Sequence, residues 1–505
     1  MKEVKIKKKD ARKYVAKHML GRKGAKYNEK TGVIEIKEES KEKSKEKSKE
    51  KSKEKSKEKS KEKSKEKSKE KSKEIVLMSK FSPVPYAEYL TKETTFLYDN
   101  FKRFWRYDNE AGIWKEDAEN FIKNKLRNNL MGEEQQKKQY VDEVVNYIKD
   151  SCWTEKYILD PPKNIIAFKN CLYDIDKEEI IDFSEKYFIT IKIPIEITSE
   201  YTDSEKIDQF FEDIVGKERK EILYELMAYC LLRDYPFQKF FILYGSGENG
   251  KTAFLNLVRK FFGTENVASE TPQHLVSRNF SKANLWNKLV NISSDIPYIA
   301  IENTNVLKEL VGGDWTNCER KFKTAFPFKN YAKLIFSANE LPQINDKTYA
   351  FYRRVYILLF EKKIEKPDPF IIEKITTDKE LSGLGWILIK KLIELKKRDF
   401  VFSHNPTVKK MEEMYEDLSN PLNKFLRTTT EIDEHEKIVK YEFRDRFSNW
   451  LRENGFRIWK DRDISIKMRE LFQESRVAIH KVYDKELKQF VTKHYRAWEG
   501  LKWKK

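Results

Sequence analysis

Apolar and polar positions take on order only after about residue 75. Residues 118–130 (AENFIKNKLRNNL) and 139–153 (QYVDEVVNYIKDSCW) return an apolar side chain every three to four positions, which predicts helices with one buried stripe. From 165 to 197 the apolar positions fall in short runs broken by Asn, Asp and Lys, the pattern of short strands and turns. Residues 217–234 (KERKEILYELMAYCLLRD) read as a further helix. Apolar runs then follow at 240–244, 289–292 (with Asn291 inside it), 334–336 and 355–360. Such runs predict strands buried on both faces, as in a parallel sheet. A helix is expected at 385–399, then a polar stretch at 404–421 and a small separate module to the end. Within that module Phe443, Phe447, Trp450 and Leu451 fall at i, i+4, i+7 and i+8, one apolar helix face. A second helix is expected over 463–475 with Asp463 as its cap, and 477–483 and 486–498 are expected to pair as wing strands.

The first 74 residues have no such pattern. From Lys41 to Ser72 the tetrapeptide KEKS repeats eight times without one apolar residue. It cannot build a core, and its period sets like charges at i,i+4, so disorder or a frayed, solvated helix is expected. The net charge of +19 is concentrated at the ends: about +15 lies in residues 1–74 and about +7 in 441–505, leaving 75–440 near -3. That distribution fits an enzyme body touching phosphates locally better than a uniformly basic DNA-packaging protein. The four cysteines are far apart and form no metal or disulfide pattern. No run approaches a membrane span, and the opening residues contain no leader-like apolar stretch. The chain reads as a cytoplasmic protein, in the host cytoplasm if viral or plasmid-encoded, with no membrane partner.

The strongest chemical signal is the run KFFILYGSGENGKTAFLNLVRKFFG. An apolar strand precedes Gly245, Ser246, Gly247, Glu248, Asn249, Gly250, Lys251 and Thr252, which match G-x-x-x-x-G-K-[ST], and Leu255, Val258 and Phe262 follow at helical spacing. Glycines let successive backbone N–H groups turn toward phosphate oxygens, Lys251 offers a charge to the terminal phosphates, and Thr252 offers a hydroxyl to Mg²⁺. ATP and Mg²⁺ are therefore the expected cofactors. Downstream, the 289–292 strand leads to Asp295, placed to hold the Mg²⁺ shell, and the 334–336 strand leads to Asn339, whose amide can orient water or sense the terminal phosphate.

The order GSGENGKT, SSDIP, GGD, SAN and YRR within about 110 residues resembles superfamily 3 helicases. More narrowly, it resembles the poxvirus and phage/plasmid primase-helicase family. WRYDNEAGIWKEDAENFI and IAFKNCLYDIDKEEIIDFSEKYFIT look like the N-terminal domain found in that family, so the resemblance covers roughly 85–505. It implies an α/β fold: an AAA+-like P-loop NTPase core, a helical and mixed N-terminal domain and a C-terminal winged-helix domain. The boundaries expected are a basic segment 1–40, the repeat linker 41–74, the N-terminal domain 75–237, the ATPase/helicase domain 238–400 and the winged helix 401–505.

The resemblance also implies roles. Lys251, Asp295 and Asn339 would be catalytic, with Thr252 and Asp295 at the metal. Arg353, favoured over Arg354, would reach into a neighbouring subunit's ATP, which implies a hexameric ring. Polyomavirus large T antigen has a glutamate just before the aspartate, where this chain has Ser294; Asp295 would then serve both roles, or Glu302 would approach. A family hairpin would carry Arg320, Lys321, Phe322 and Lys323 to single-stranded DNA. Lys467 and Arg469 would face duplex DNA at a fork if the 463–475 helix is a recognition helix. The activity implied is an ATP-dependent replicative DNA helicase moving 3′ to 5′, alongside a separate primase or polymerase; the alternative is an AAA+ initiator or loader that uses ATP as a switch.

Overall fold

A computed structural model describes residues 4–5, 25–28, 33–36, 81–155, 161–278, 280–297, 299–301, 303–321, 324–454, 456–484 and 489–504. The KEKS repeat, Glu302, Phe322 and Lys323 lie outside these residues. The chain divides into two units, Met1–Leu90 with Asn120–Tyr147, and Thr91–Glu119 with Ile148–Lys505.

In the first unit a short antiparallel sheet joins Val4–Lys5, Val33–Ile36 and Ala25–Asn28. The two expected helices form, mostly within this unit: Ala118–Lys125 runs on through a π turn at Leu126–Leu130, and Lys138–Ser151 is the other. Their buried residues are Ala118, Ile122, Leu126 and Leu130 in one and Val141, Val144, Val145 and Ile148 in the other. Spacings of four, and of three and four, are what one apolar stripe requires. Phe81 stacks on Tyr140 at 4.1 Å between ring centroids.

The second unit carries the chemistry. It opens with a four-stranded sheet in the order Ile113–Lys115, Phe104–Asp108, Phe96–Asp99, Trp153–Thr154. The 165–197 stretch follows, forming the short antiparallel strands Ile165–Ala167, Leu172–Asp174 and Glu179–Ile181. Helix Lys220–Leu231 is buried at every position from Ile222 to Leu231, so it runs through the core instead of over it.

The core is a five-stranded, all-parallel sheet in the order Val267–Ala268, Val290–Ser293, Lys333–Ala338, Phe240–Tyr244, Val355–Leu359. The four apolar runs read from the sequence supply four of these strands. The two-residue edge strand Val267–Ala268 has no run to announce it. The segment after each strand's carboxyl end emerges on one edge of the sheet, the usual place for a ligand in an open parallel sheet. Helix Asp378–Lys397 packs on Lys220–Leu231. It begins seven residues earlier than its apolar pattern, because Thr377 caps it by accepting from the Glu380 N–H.

Residues 422–503 form a separate hydrophobic cluster built on Leu422, Phe425, Phe443, Phe447, Leu451 and Trp498. An antiparallel sheet in the order Thr430–Val439, Gln489–Trp503, Glu474–Asp484 joins helices Pro421–Thr429, Lys440–Glu453 and Asp461–Leu471. The two expected terminal strands pair. The Thr430–Val439 strand went unread, since TEIDEHEKIV is mostly polar and exposed on one long stretch. Asp463 is not the cap: Lys460 takes that position and Asp463 lies in the first turn, where its carboxylate still complements the helix dipole. Met411 and Tyr415, N-terminal to this module, belong to the main core.

Candidate functional site

The loop from Gly245 to Gly250 leaves the central strand at its carboxyl end and turns into helix Lys251–Phe262. Gly250, at φ +81, is the N-cap, and a Cβ there would lie 2.3 Å from Ile214 Cγ2. Only glycine satisfies both the backbone angle and that approach. Asn249 braces the loop by donating to the Phe360 carbonyl at 3.0 Å.

Lys251 is 6% exposed. Its ammonium donates to the Gly245 carbonyl at 2.5 Å, Asn249 Oδ1 at 3.1 Å and Asn339 Oδ1 at 3.0 Å. None of these acceptors carries a charge. Burial pushes its pKa down to about 8, with Asp295 pulling the other way. A buried cation whose acceptors among the described residues are all neutral is short of an anion.

A cavity of about 870 Å³ collects Gly247 to Ala253, Ser294, Asp295, Ser337 and Asn339. Gly247 to Thr252, Asp295 and Asn339 are thus brought together from three strand ends, while Gly245 and Ser246 line a separate recess. The Thr252 hydroxyl and the Asp295 carboxylate, the donor types Mg²⁺ takes, share this cavity, so the residues fit the ion. Ser294 is occupied: Arg259, from the helix after the loop, donates to its Oγ at 2.7 Å.

The cavity has a second wall that sequence reasoning missed. Phe210, Asp213 and Ile214 come from helix Glu205–Val215, and Lys362 to Ile371 come from the segment after the last core strand. Ile364 N–H donates to the Glu248 carbonyl at 2.9 Å, tying that segment to the loop. No motif marks these positions; the signal available was the compact run EKKIEKPDP directly after a buried strand.

Arg353 and Arg354 do not line this cavity. Strand pairing sets Val355 beside Phe240 and Leu359 beside Tyr244, so both arginines stand at the amino end of the sheet, roughly 15 Å along the strands from the loop. Arg353 donates to Gln238 Oε1 at 2.9 Å, and its carbonyl accepts from Lys239 Nζ at 2.9 Å. Arg354 donates to the Ala350 carbonyl, while its buried Nε has no hydrogen-bond partner among the described residues. Glu302 lies outside the described residues.

The hairpin pairs Trp315–Cys318 with Phe326–Lys329. Arg320 does not simply project: its Nη1 is 3.2 Å from Glu116 and its guanidinium lies 5.3 Å from the Phe326 ring centre. The hairpin base is clamped by Arg103, whose guanidinium pairs with Asp99 at 2.6 Å and sits 4.7 Å from Phe326 and 5.4 Å from Trp286. Lys321 is exposed at the turn; Phe322 and Lys323 lie outside the described residues. In the C-terminal module Lys467 pairs with Glu470 at 3.0 Å and Arg469 with Glu474 at 2.7 Å. Both cations therefore already have carboxylates beside them.

Two family models match the chain: one described as D5 N terminal like, over residues 89–216, and one for a family of unknown function, over 243–354. "Putative helicase L207/L206" of Acanthamoeba polyphaga mimivirus is 24% identical over 223 residues, taking in 41% of this chain and 23% of that protein. "Putative helicase 184R" of Invertebrate iridescent virus 6 is 24% identical over 349 residues, 58% of this chain and 35% of that protein. The chain is thus similar, over part of its length, to viral putative helicases, and it carries a region like the D5 N-terminal family. It spans about a quarter to a third of the length of these viral relatives. Among solved structures, the apo C-terminal region of NrS-1 is similar at a TM-score of 0.39 and 15% identity, covering 82% of this chain and 98% of that one. A second form of that region gives 0.41 and 16%, covering 76% and 85%. Among the described residues, no helix is long and apolar enough to cross a membrane.

Proposed function

We propose that this chain is an ATP-driven DNA helicase motor with an AAA+-like P-loop core, working as a ring of copies on single-stranded DNA at a fork. The observation that carries the reading is the convergence of Lys251, Thr252, Asp295 and Asn339 on one cavity at the carboxyl edge of the parallel sheet. In this reading the loop N–H groups and Lys251 hold the β and γ phosphates, and the recess beside Ile214 and Ile364 takes the nucleoside. Asn339 orients the attacking water. Mg²⁺, held by Thr252 and Asp295, would neutralise charge developing on the phosphate oxygens.

The position of Arg353 supports completion of the site by a neighbour, because it cannot reach the loop of its own chain. A guanidinium supplied from another subunit makes hydrolysis depend on assembly. The hairpin would draw one DNA strand in the 3′ to 5′ direction, and the C-terminal module, read as a winged helix, would touch the duplex through Lys467 and Arg469. The motor would work beside a separate primase or polymerase.

The contact between Arg259 and Ser294, where large T antigen has a carboxylate, favours a second reading: a slow ATP switch that remodels origin DNA as an initiator or loader. Strand displacement on a forked substrate separates the two. The motor gives ATP-dependent displacement, lost in Lys251→Ala, and Arg353→Ala protomers poison wild-type protomers when mixed. DNA-stimulated ATP hydrolysis without displacement would establish the switch instead.

A further inference from the structure

Resting on the reading that Arg353 completes a neighbouring subunit's ATP site, we propose that Gln238 is the positioning residue for that arginine, a neutral seat that holds it at rest and releases it to a phosphate. The side-chain oxygen of Gln238 accepts from Arg353 Nη1 at 2.9 Å. Its amide nitrogen faces the end of helix Asn305–Gly312, donating to the Gly312 carbonyl at 3.4 Å. An amide has one acceptor end and one donor end, so the Gly312 contact turns the oxygen toward the arginine. The backbone bears on the same point. Gln238 sits at φ +53, a left-handed conformation that costs a residue with a side chain and that glycine adopts freely.

Arg353 stands among other cations. Lys239 is buried and donates to the Arg353 carbonyl at 2.9 Å, while Arg354 donates to the Ala350 carbonyl. Burial first, and the charge of Arg353 after it, push the pKa values of Lys239 and Arg354 down, with Asp314 opposing at Arg354. Among the described residues the Arg353 guanidinium has an amide oxygen as its acceptor and no ion pair. A carboxylate in the seat would make a charge-assisted pair, about twice as strong as a neutral hydrogen bond, and would hold the guanidinium back. The amide releases it for one neutral bond, which a phosphate replaces with a stronger one. Gln238 also stands just before the strand Phe240–Tyr244, and the Phe240 N–H donates to the Arg354 carbonyl at 2.8 Å. The seat therefore ties the arginine offered to a neighbour to the strand that carries this chain's own phosphate loop.

The test is steady-state ATP hydrolysis by the full chain, with urea midpoints read on every variant. Gln238→Glu should lower kcat about tenfold and leave KM within about twofold, because the arginine must now leave a charged partner. Gln238→Gly should raise kcat about threefold, the scale of one neutral hydrogen bond no longer broken, with a urea midpoint no lower than wild type because φ +53 suits glycine. In an Arg353→Ala background Gln238→Glu should change kcat by less than about twofold, since the seat then has nothing to hold. Equal losses of kcat in Gln238→Glu and Gln238→Gly overturn the proposal, as does an undiminished effect of Gln238→Glu in the Arg353→Ala background; either result makes Gln238 a purely structural residue. Should the glutamate weaken the fold, Gln238→Gly decides alone, and a kcat at or below wild type overturns the seat. If Arg353→Ala itself hydrolyses ATP like wild type, the reading that a neighbour's arginine completes the site fails; if Arg353→Ala is inactive and Gln238→Glu matches wild type, only the seat does.

Discussion

The ammonium of Lys251 donates to the side-chain oxygen of Asn339 at 3.0 Å, across 88 positions of sequence. In the proposed mechanism the lysine leaves this neutral acceptor for phosphate and frees the asparagine oxygen for water. Asn339→Ala is expected to lower kcat for ATP by about a hundredfold, the scale of one lost transition-state partner, with nucleotide affinity nearly retained. Lys251→Ala is expected to lose both, and a steady-state assay with equilibrium nucleotide binding separates the two patterns.

Because burial holds the Lys251 pKa at about 8, its side chain is partly neutral just above neutrality. A bound polyphosphate favours the charged form, so binding takes up a proton there. Affinity for ATP is expected to be flat below pH 8 and to fall as pH rises through it, by up to about tenfold per unit. Calorimetric titrations in buffers of different ionisation enthalpy would reveal the proton, and Lys251→Arg should abolish its uptake.

Gly250→Ala places a Cβ 2.3 Å from Ile214 Cγ2 at a φ of +81. Both the loop and the recess wall must shift. A loss of about 1–3 kcal/mol in stability is expected, read by urea unfolding, together with loss of nucleotide binding. Ile214→Ala with Gly250→Ala relieves the clash and should recover stability more than it recovers binding.

Glu116 holds Arg320 where a DNA phosphate would compete for it. Glu116→Gln is expected to raise affinity for single-stranded DNA several-fold and to steepen its salt dependence by about one unit of log–log slope. Adding Arg320→Ala to that variant should cancel both changes in the same binding assay.

Lys333 is fully buried at the start of its strand, donating to the carbonyls of Leu232 and Tyr331, with its ammonium 4.6 Å from the Tyr229 ring centre. Burial pushes its pKa down to about 7 from an ordinary value of 10.5. The unfolded chain therefore binds more protons between those values, and stability should rise with pH from about 7 to about 10.5. Lys239, lowered to about 8 by burial, adds a contribution of the same sign. Lys333→Met should flatten the rise measured by urea midpoints at pH 7 and 9.5.

The amino-acid order alone determined whatever depends on neighbours in the chain. The loop from Gly245 to Thr252, the apolar runs that become core strands and the striped helices all follow from local spacing and steric rules, so they could be read directly. Asp295 and Asn339 were also legible, because each follows a buried strand and parallel strands deliver their carboxyl ends to one edge. What the tertiary structure decided are pairings between residues far apart. Ile214 and Ile364 wall the cavity only because a helix and a segment 150 positions later close over the same loop. Arg320 meets Glu116 across 204 positions, and no charge pattern near either residue announces it. The strand Thr430–Val439 is mostly polar, and its pairing with Gln489–Trp503 holds it in the sheet. Local sequence fixes backbone geometry within a few residues, whereas a long-range contact depends on chain closure, which many sequences satisfy in different ways and only the folded chain resolves.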